Sequence, residues 1–323
     1  MLYKEIPLTA LPGVAIGHAQ DPEAATGCTV LLFGPDGAPA GLDVRGGGPA
    51  SRESELLKPM AAAGAIHAIL LSGGSAFGLD AAGGVQQYLE ERGIGFDVGV
   101  ARVPLVCQAC LFDLGLGRAG VRPDRAMGYA ACQAAGTGVL QTGNVGAGTG
   151  ATVGKTSGMA RCMKAGLGAY AVQLGEVQVG ALVAVNALGD VYGADGRRLA
   201  GLRDADGVFR PDSPGAEDAL LGTTEVVENK FTGNTTLGVV LTNARFPKAA
   251  LCKIAGMAHD GYARAIRPVH TTADGDSIFA VSLGNLAADQ DTVGALAARV
   301  MAEAIRRAVH VPGVPGAPGL LDS

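Results

Sequence analysis

The sequence predicts a layered α/β fold with a mixed sheet, and three observations carry that expectation. Short apolar runs bounded by glycine alternate with longer amphipathic stretches early and late in the chain. From about residue 165 to 195 such runs instead follow one another directly, joined by glycine turns such as LGEVQVG. Strands alternating with helices favour parallel pairing, and consecutive strands favour antiparallel pairing, so a layered fold containing both is expected rather than a pure doubly wound sheet. The third observation is 51 glycines in 323 residues, well above a usual share of about 7%, which implies many tight turns and close backbone approaches.

Taken in order, CTVLLF (28–33) is short, apolar and β-branched, which reads as a buried strand. SRESELLKPMAAA (51–63) has a helical pattern. IHAILL (66–71) reads as a second strand, with His67 as a core histidine that has a hydrogen-bond partner. Helices are expected over 78–92 (GLDAAGGVQQYLEER) and 123–135 (PDRAMGYAACQAA), and strands over 168–174 (GAYAVQL) and 180–186 (GALVAVN). The stretch 195–230 is the most charged and least periodic, the composition of an exposed linker.

Pro247 suits the first turn of a helix over 247–266, whose Leu251, Ile254, Ala258, Tyr262 and Ile266 recur at three or four residues. A last helix runs over about 292–309 with Asp291 as its expected N-cap, and Arg306 and Arg307 suit its C-terminal dipole. The Pro/Gly-rich tail 311–323 is too irregular for an element and is expected to lie over the surface or stay disordered.

Composition excludes several function classes. Charged residues make up 17% and the net charge is -5, so no basic footprint for nucleic acid exists. The N-terminus lacks a basic segment followed by an apolar one, and no run approaches the roughly 20 apolar residues of a membrane span. A soluble, cytoplasmic protein with no membrane partner is expected. Six cysteines are too few and too irregular for a disulfide framework. Cys107 and Cys110 form a lone C-x-x-C with no second pair and no nearby histidine, and read as buried thiols. No metal is expected.

Two motifs almost match. GAGTGATVGKT (146–156) resembles a phosphate loop, but Thr149 stands where the Walker pattern needs glycine. Gly146, Gly148 and Ala151 fit G-x-G-x-x-A without the acidic residue that should follow. Nucleotide binding is thus a remote alternative, and no cofactor is expected. GGSAFG (73–78) fails as a nucleophile elbow at Phe77, and Ser75 reads as part of the turn into a helix. The five histidines (His18, His67, His259, His270, His310) have no telling context, so a hydrolase built on this chain needs another base.

FTGNTTLGVVLTN (231–243) suggests one. A threonine hydroxyl becomes nucleophilic beside a base, and the α-amine of the same residue serves when the residue is N-terminal. That amine has an ordinary pKa of about 7.7 to 8.0, close to neutrality. An internal Thr235 would expose it by attacking the carbonyl of Asn234, shifting the acyl group from nitrogen to oxygen, and letting water cleave the ester. Gly233-Asn234 supplies an adaptable bend. Asp274 and Asp276, two apart at the mouth of a strand, would place both carboxylates on one side. Asn186 offers an amide donor and Lys155 a positive charge. Each also has a plain structural reading as a turn residue, a strand cap or a solvated lysine.

Beyond these residues, seven ordered blocks resemble the DmpA-type aminopeptidases and nylon-oligomer (6-aminohexanoate oligomer) hydrolases, a family of self-cleaving N-terminal-nucleophile hydrolases. The blocks are RGGGPASRESELL (45–57), LLSGGSAFGLDAAGGV (70–85), VPLV with LFDL (103–114), GNVGAGTGATVGK (143–155), VAVNALGDV (183–191), GNTTLGVVLTNA (233–244) and DGDSIFAVSLG (274–284). The resemblance implies a four-layer αββα sandwich in one domain over 1–323, cut between Asn234 and Thr235 into chains 1–234 and 235–323 and assembled as a homotetramer. It implies Thr235 as nucleophile and base, Asn186 as oxyanion donor, and Lys155, Asp274 and Asp276 around the nucleophile.

The Asn-Thr junction resembles the nylon-hydrolase branch, whereas the aminopeptidase members have Gly-Ser. Phe112 stands where a substrate-side tyrosine is expected. The function implied is hydrolysis of linear amides, short peptides or β-peptides, with an aminopeptidase as the alternative and a catalytically silent scaffold as a remoter one.

Overall fold

The computed structural model describes residues 2–224 and 233–322. Val177–Ala184 and Leu167–Leu174 pair antiparallel through the tight turn at Gly175 and lie inside a six-stranded sheet. Its order is Lys4–Ile6, Leu167–Leu174, Val177–Ala184, Leu237–Ala244, Ser277–Leu286, Ala40–Val44. Only Leu237–Ala244 and Ser277–Leu286 pair parallel within it. The second sheet has five strands in the order Ala15–Asp21, Thr26–Leu32, Ala68–Ser72, Val106–Cys110, Ala50–Arg52, with Ala68–Ser72 and Val106–Cys110 parallel. The mixed pairing expected from the sequence is present in both.

The α-helices among the described residues are α1 (Ala81–Glu90), α2 (Arg125–Gln133), α3 (Ala216–Leu221), α4 (Lys248–Ala265) and α5 (Gln290–Ala308). Leu31, Ile69, Leu71, Leu182, Leu237 and Phe279 fill the space between the two sheets. Val179, Val183, Leu251, Ile254, Tyr262, Val300 and Ile305 join the larger sheet to α4 and α5. Val30, Leu70, Val85, Leu89 and Ala131 join the smaller sheet to α1 and α2. Four layers result, in the order helix, sheet, sheet, helix. The run GALVAVN lacks polar alternation because both faces of its strand are buried, Leu182 toward one core and Val183 toward the other. No helix of the described residues is long and apolar enough to cross a membrane.

Three expectations change. The stretch 51–63 is not a helix: Ala50–Arg52 pairs with Val106–Cys110, and a single 3-10 turn, Ser54–Leu57, follows a left-handed Glu53. Local turn bonds are joined by tertiary ones, Lys248 Nζ donating to the carbonyls of Leu56 and Ala61 at 2.8 and 2.9 Å. The N-cap of α5 is Asp289, which accepts from the Thr292 amide at 2.8 Å; Asp291 lies inside the helix.

Residues 195–224 are not a linker. Arg198–Ala200 joins a three-stranded sheet with Asp190–Tyr192 and Ile266–Arg267, tied by a buried Arg198–Asp190 ion pair at 3.1 Å. The remainder of that expected linker, 225–230, lies outside the described residues, as do Phe231 and Thr232. The tail does run over the surface, but in fixed contact. Val314 and Ala317 exchange backbone hydrogen bonds, Ala317 is buried, and the Lys164 amide donates to the Pro318 carbonyl at 2.8 Å.

Candidate active site

Thr235 stands two residues before the central strand Leu237–Ala244, and its whole surroundings are buried. Its amide donates to the Asn186 carbonyl at 2.7 Å, and its hydroxyl donates to the carbonyl of Asn234. Gly233 adopts a φ of 109°, open to glycine and strained for other residues. The bend inferred from the sequence is therefore real.

Asn186 follows the neighbouring strand Val177–Ala184 by two residues and is fully buried. Its Oδ1 accepts from the Thr152 amide at 3.0 Å and from Lys155 Nζ at 2.7 Å. Its Nδ2 donates to the Phe112 carbonyl at 2.8 Å and to the Gly233 carbonyl at 3.2 Å. Lys155 Nζ also donates to that Gly233 carbonyl and, at 3.3 Å, to the Asn186 carbonyl. Among the described residues no carboxylate is bonded to this lysine, and burial pulls its pKa down to about 7.

The glycine-rich stretch before Lys155 is not a phosphate cradle but a packed crossing. A side chain at Gly148 would meet the Leu167 amide at 2.2 Å, and one at Gly154 the Leu202 amide at 2.0 Å. Close approach at these glycines threads the chain into the site and delivers Lys155 to it.

Asp274 and Asp276 sit in the loop before Ser277–Leu286, both buried. Asp276 Oδ1 accepts from the Thr236 amide at 2.8 Å, and Oδ2 accepts from the backbone amide of His270 at 3.2 Å and from its ring Nδ1 at 2.8 Å. Asp274 turns elsewhere, accepting from the amide and hydroxyl of Thr271 at 2.9 and 2.5 Å and from the Leu188 amide at 3.5 Å. Burial and the adjacent charge of Asp276 push Asp274 up to about 6. The two carboxylates are close neighbours with separate partners.

Between them, Gly275 faces the nucleophile candidate: a Cβ there would stand 2.6 Å from Thr235 Oγ1. Backbone bonds from Arg45, Gly46, Gly47 and Gly48 hold this loop from the other side.

A cavity of about 290 Å³ opens beside Gly233, lined by Phe112, Leu114, Gly115, Lys155, Gly158, Met159 and Gly233. A larger groove, about 500 Å³ between Glu5 and Arg307, contains none of the sequence-inferred residues. The side chains of Asn186, Lys155 and Asp276 thus gather around Gly233–Thr236, Asp274 lies across Gly275 with partners of its own, and Phe112 contributes both its carbonyl and a cavity wall.

Sequence reasoning missed His270, Tyr262, Gly275 and Thr152. Tyr262 donates to the Thr236 carbonyl at 3.2 Å. The one local signal was proximity, His270 standing six residues before Asp276. His67 accepts from the Leu105 amide at 3.1 Å, as expected of a core histidine. Cys107 and Cys110 are the buried thiols expected, each pushed up to about 12 by burial.

Comparison with known proteins agrees over nearly the whole chain. The model of peptidase family S58 matches residues 7–312. An uncharacterized aminopeptidase of Mycobacterium tuberculosis is 40% identical over 342 residues, covering 95% of this chain and 96% of its own length. A 6-aminohexanoate-oligomer endohydrolase of Agromyces sp. is 34% identical over 311 residues, covering 92% and 84%.

Among solved structures, the L-aminopeptidase D-Ala-esterase/amidase from Ochrobactrum anthropi, described as a variant of the Ntn-hydrolase fold, superposes with a TM-score of 0.69 at 18% identity over 96% of this chain and 88% of that one. A Burkholderia sp. beta-aminopeptidase gives 0.68 at 23% identity over 98% and 92%. At those identities the structures speak to the fold, which is the layered fold described above.

Proposed function

The chain belongs to peptidase family S58 and is an amide or peptide hydrolase, and we propose that Thr235 is its nucleophile, exposed by self-cleavage after Asn234. The observation that carries the reading is the Thr235 hydroxyl against the carbonyl of Asn234, the bond it would cut. Attack of Oγ1 on that carbonyl carbon, with a proton delivered to the Thr235 nitrogen, breaks the amide and leaves an ester. Water then opens the ester, giving an Asn234 carboxylate and a Thr235 with free hydroxyl and amine. The chain is thereby divided into 1–234 and 235–323.

The freed amine takes the proton of its own hydroxyl, at an ordinary pKa of about 7.7 to 8.0. Before cleavage, two groups of the site titrate close enough to neutrality to move protons, Lys155 at about 7 and Asp274 at about 6. In the continuous chain the Gly233 carbonyl occupies the donors of Asn186 and Lys155. Departure of that segment frees both donors for the carbonyl of an incoming amide, whose developing negative charge they meet without reorganisation. The acyl chain enters the cavity walled by Phe112, Leu114 and Met159.

These walls are apolar, which suits an unbranched aliphatic acyl group such as that of an ω-amino acid, a β-amino acid or a small peptide. The relatives that hydrolyse 6-aminohexanoate oligomers support the first, and the aminopeptidase relatives support release of an N-terminal residue as the second reading. Denaturing electrophoresis tests the nucleophile. Purified protein should run as two chains, and Thr235→Ala as one chain without amidase turnover. A wild type that stays whole while turning over amides sinks the reading. Product analysis on 6-aminohexanoate oligomers and on amino-acid p-nitroanilides then separates internal from terminal cleavage.

A further inference from the structure

His270 takes no part in the reaction just proposed, yet it is the residue most tightly bound to Asp276. Its backbone amide and its ring Nδ1 both reach the same oxygen, Oδ2, at 3.2 and 2.8 Å. The other oxygen, Oδ1, accepts from the amide of Thr236, the residue bonded to Thr235. Rotation of the carboxylate is therefore stopped from both sides.

The ring is itself fixed. It stacks on Tyr262 at 5.7 Å between centroids and meets His259 edge-on at 4.7 Å. Its backbone has a φ of 57°, the left-handed region that a non-glycine residue enters at a cost and keeps only where its surroundings hold it. Since a carboxylate oxygen only accepts, the proton lies on Nδ1. Nε2 is buried with no hydrogen-bond partner among the described residues.

We propose that His270 is a positioning residue, holding Asp276 turned toward the nucleophile so that its carboxylate meets the amine freed on Thr235. The inference rests on the reading of Thr235 as that nucleophile. The adjacent Thr271 does the parallel task for Asp274, so the segment 270–271 assigns each carboxylate its own donor.

Two substitutions separate positioning from packing. His270→Asn places an amide Nδ2 where Nδ1 stands and tolerates the left-handed backbone. His270→Phe keeps the ring against Tyr262 and His259 but removes the donor. With whichever amino-acid p-nitroanilide or 6-aminohexanoate oligomer the wild type turns over, His270→Phe should lower kcat about ten- to a hundredfold, the worth of one hydrogen bond to a charged group. KM should stay within about twofold, and His270→Asn should recover most of the loss.

A Phe variant as fast as wild type, or an Asn variant no better than Phe, overturns the proposal. A second measurement needs no variant: the imidazole nitrogen shifts of the wild-type protein should report His270 protonated at Nδ1, and a proton on Nε2 with Nδ1 bare overturns the assignment. Failure of the nucleophile reading shows separately, as an uncut wild type or an active Thr235→Ala, and removes the proposal with it.

Discussion

The side-chain amide of Asn186 donates at 3.2 Å to the carbonyl of Gly233, two residues before Thr235, and Lys155 Nζ donates to the same oxygen. A buried pair of donors on one carbonyl is the arrangement that stabilises an oxyanion, occupied in the continuous chain by the protein's own peptide. Asn186→Ala removes one donor and keeps the backbone carbonyl that holds the Thr235 amide. Steady-state kinetics should show kcat falling roughly 10²- to 10³-fold with a smaller change in KM. An unchanged kcat would remove Asn186 from the reaction.

Gly275 gives a steric test of the proposed nucleophile's position. A Cβ there would stand 2.6 Å from Thr235 Oγ1 and 2.9 Å from the Gly48 carbonyl. The backbone of Gly48 is held by its bond to Asp274, so the hydroxyl is the group that moves. Displacement by a fraction of an ångström to about 1 Å costs up to roughly a hundredfold in rate. Gly275→Ala should therefore slow the appearance of the two chains on a denaturing gel by about ten- to a hundredfold, with a thermal midpoint close to that of Thr235→Ala. Cutting at the wild-type rate would mean that the hydroxyl does not need its present place.

The Arg198–Asp190 pair predicts a stability effect remote from the chemistry. Both side chains are buried, and Asp190 accepts further from the Leu202 and Ala216 amides at 2.7 Å each. Arg198→Met leaves a buried carboxylate without its countercharge, a loss of about 3–5 kcal/mol in comparable pairs. The two remaining amide donors put the expected value at about 3 kcal/mol, the lower end of that range. Urea unfolding of the uncut Thr235→Ala chain measures it, and Asp190→Asn in the same chain should return part of the loss.

What was legible in the sequence follows from the range of the interactions concerned. GALVAVN and IHAILL read as strands because burial on both faces makes them continuously apolar, and α4 and α5 read as helices because one face of each is buried. Thr235, Asn186, Lys155, Asp274 and Asp276 could be singled out as candidates by residue type and order, through chemistry that needs few groups, and the fold brings them into one region.

His270 and Tyr262 were not, because their partners are met only when α4 and the loop before Ser277–Leu286 close on the strand after Thr235. The charged run after Asp195 misled for a related reason. Arg198 in an exposed linker and Arg198 in a buried ion pair have the same local sequence, and only Asp190 on the neighbouring strand separates them. At the start of 51–63 the helical pattern lost to pairing with Val106–Cys110, a strand far along the chain that joins Ala50 to Cys110 and Arg52 to Gln108.

Lys155 and Lys164 make the stability of the protein depend on pH with a sign that can be worked out. Lys164 is buried with Nζ donating to the carbonyls of Gly148 and Ala151 at 2.9 and 3.0 Å, and to that of Ala165. Burial brings both lysines down to about 7 from the usual 10.5. Between those values the unfolded chain holds protons that the folded chain has released, so stability rises with pH there, by up to about 1.4 kcal/mol per unit for each lysine. Below pH 7 both states are protonated and the penalty is constant.

Among the groups that act below this window are two of opposite sense. Asp274, raised to about 6, favours the folded state less as pH climbs from about 4 to 6, and His259, lowered to about 4 chiefly by burial, favours it more. Above the ordinary thiol pKa of about 8.5, buried Cys107 and Cys110 stay protonated at about 12 while their unfolded forms ionise. That lowers stability at higher pH. The thermal midpoint of the Thr235→Ala chain should therefore climb from pH 7 to about 8.5 and then level or fall. Lys164→Met, less stable at every pH because it abandons three carbonyls, should climb about half as steeply over that window. A flat profile of the Thr235→Ala chain, or an unchanged slope when Lys164→Met is added to it, would show that these lysines keep their ordinary protonation in the folded chain.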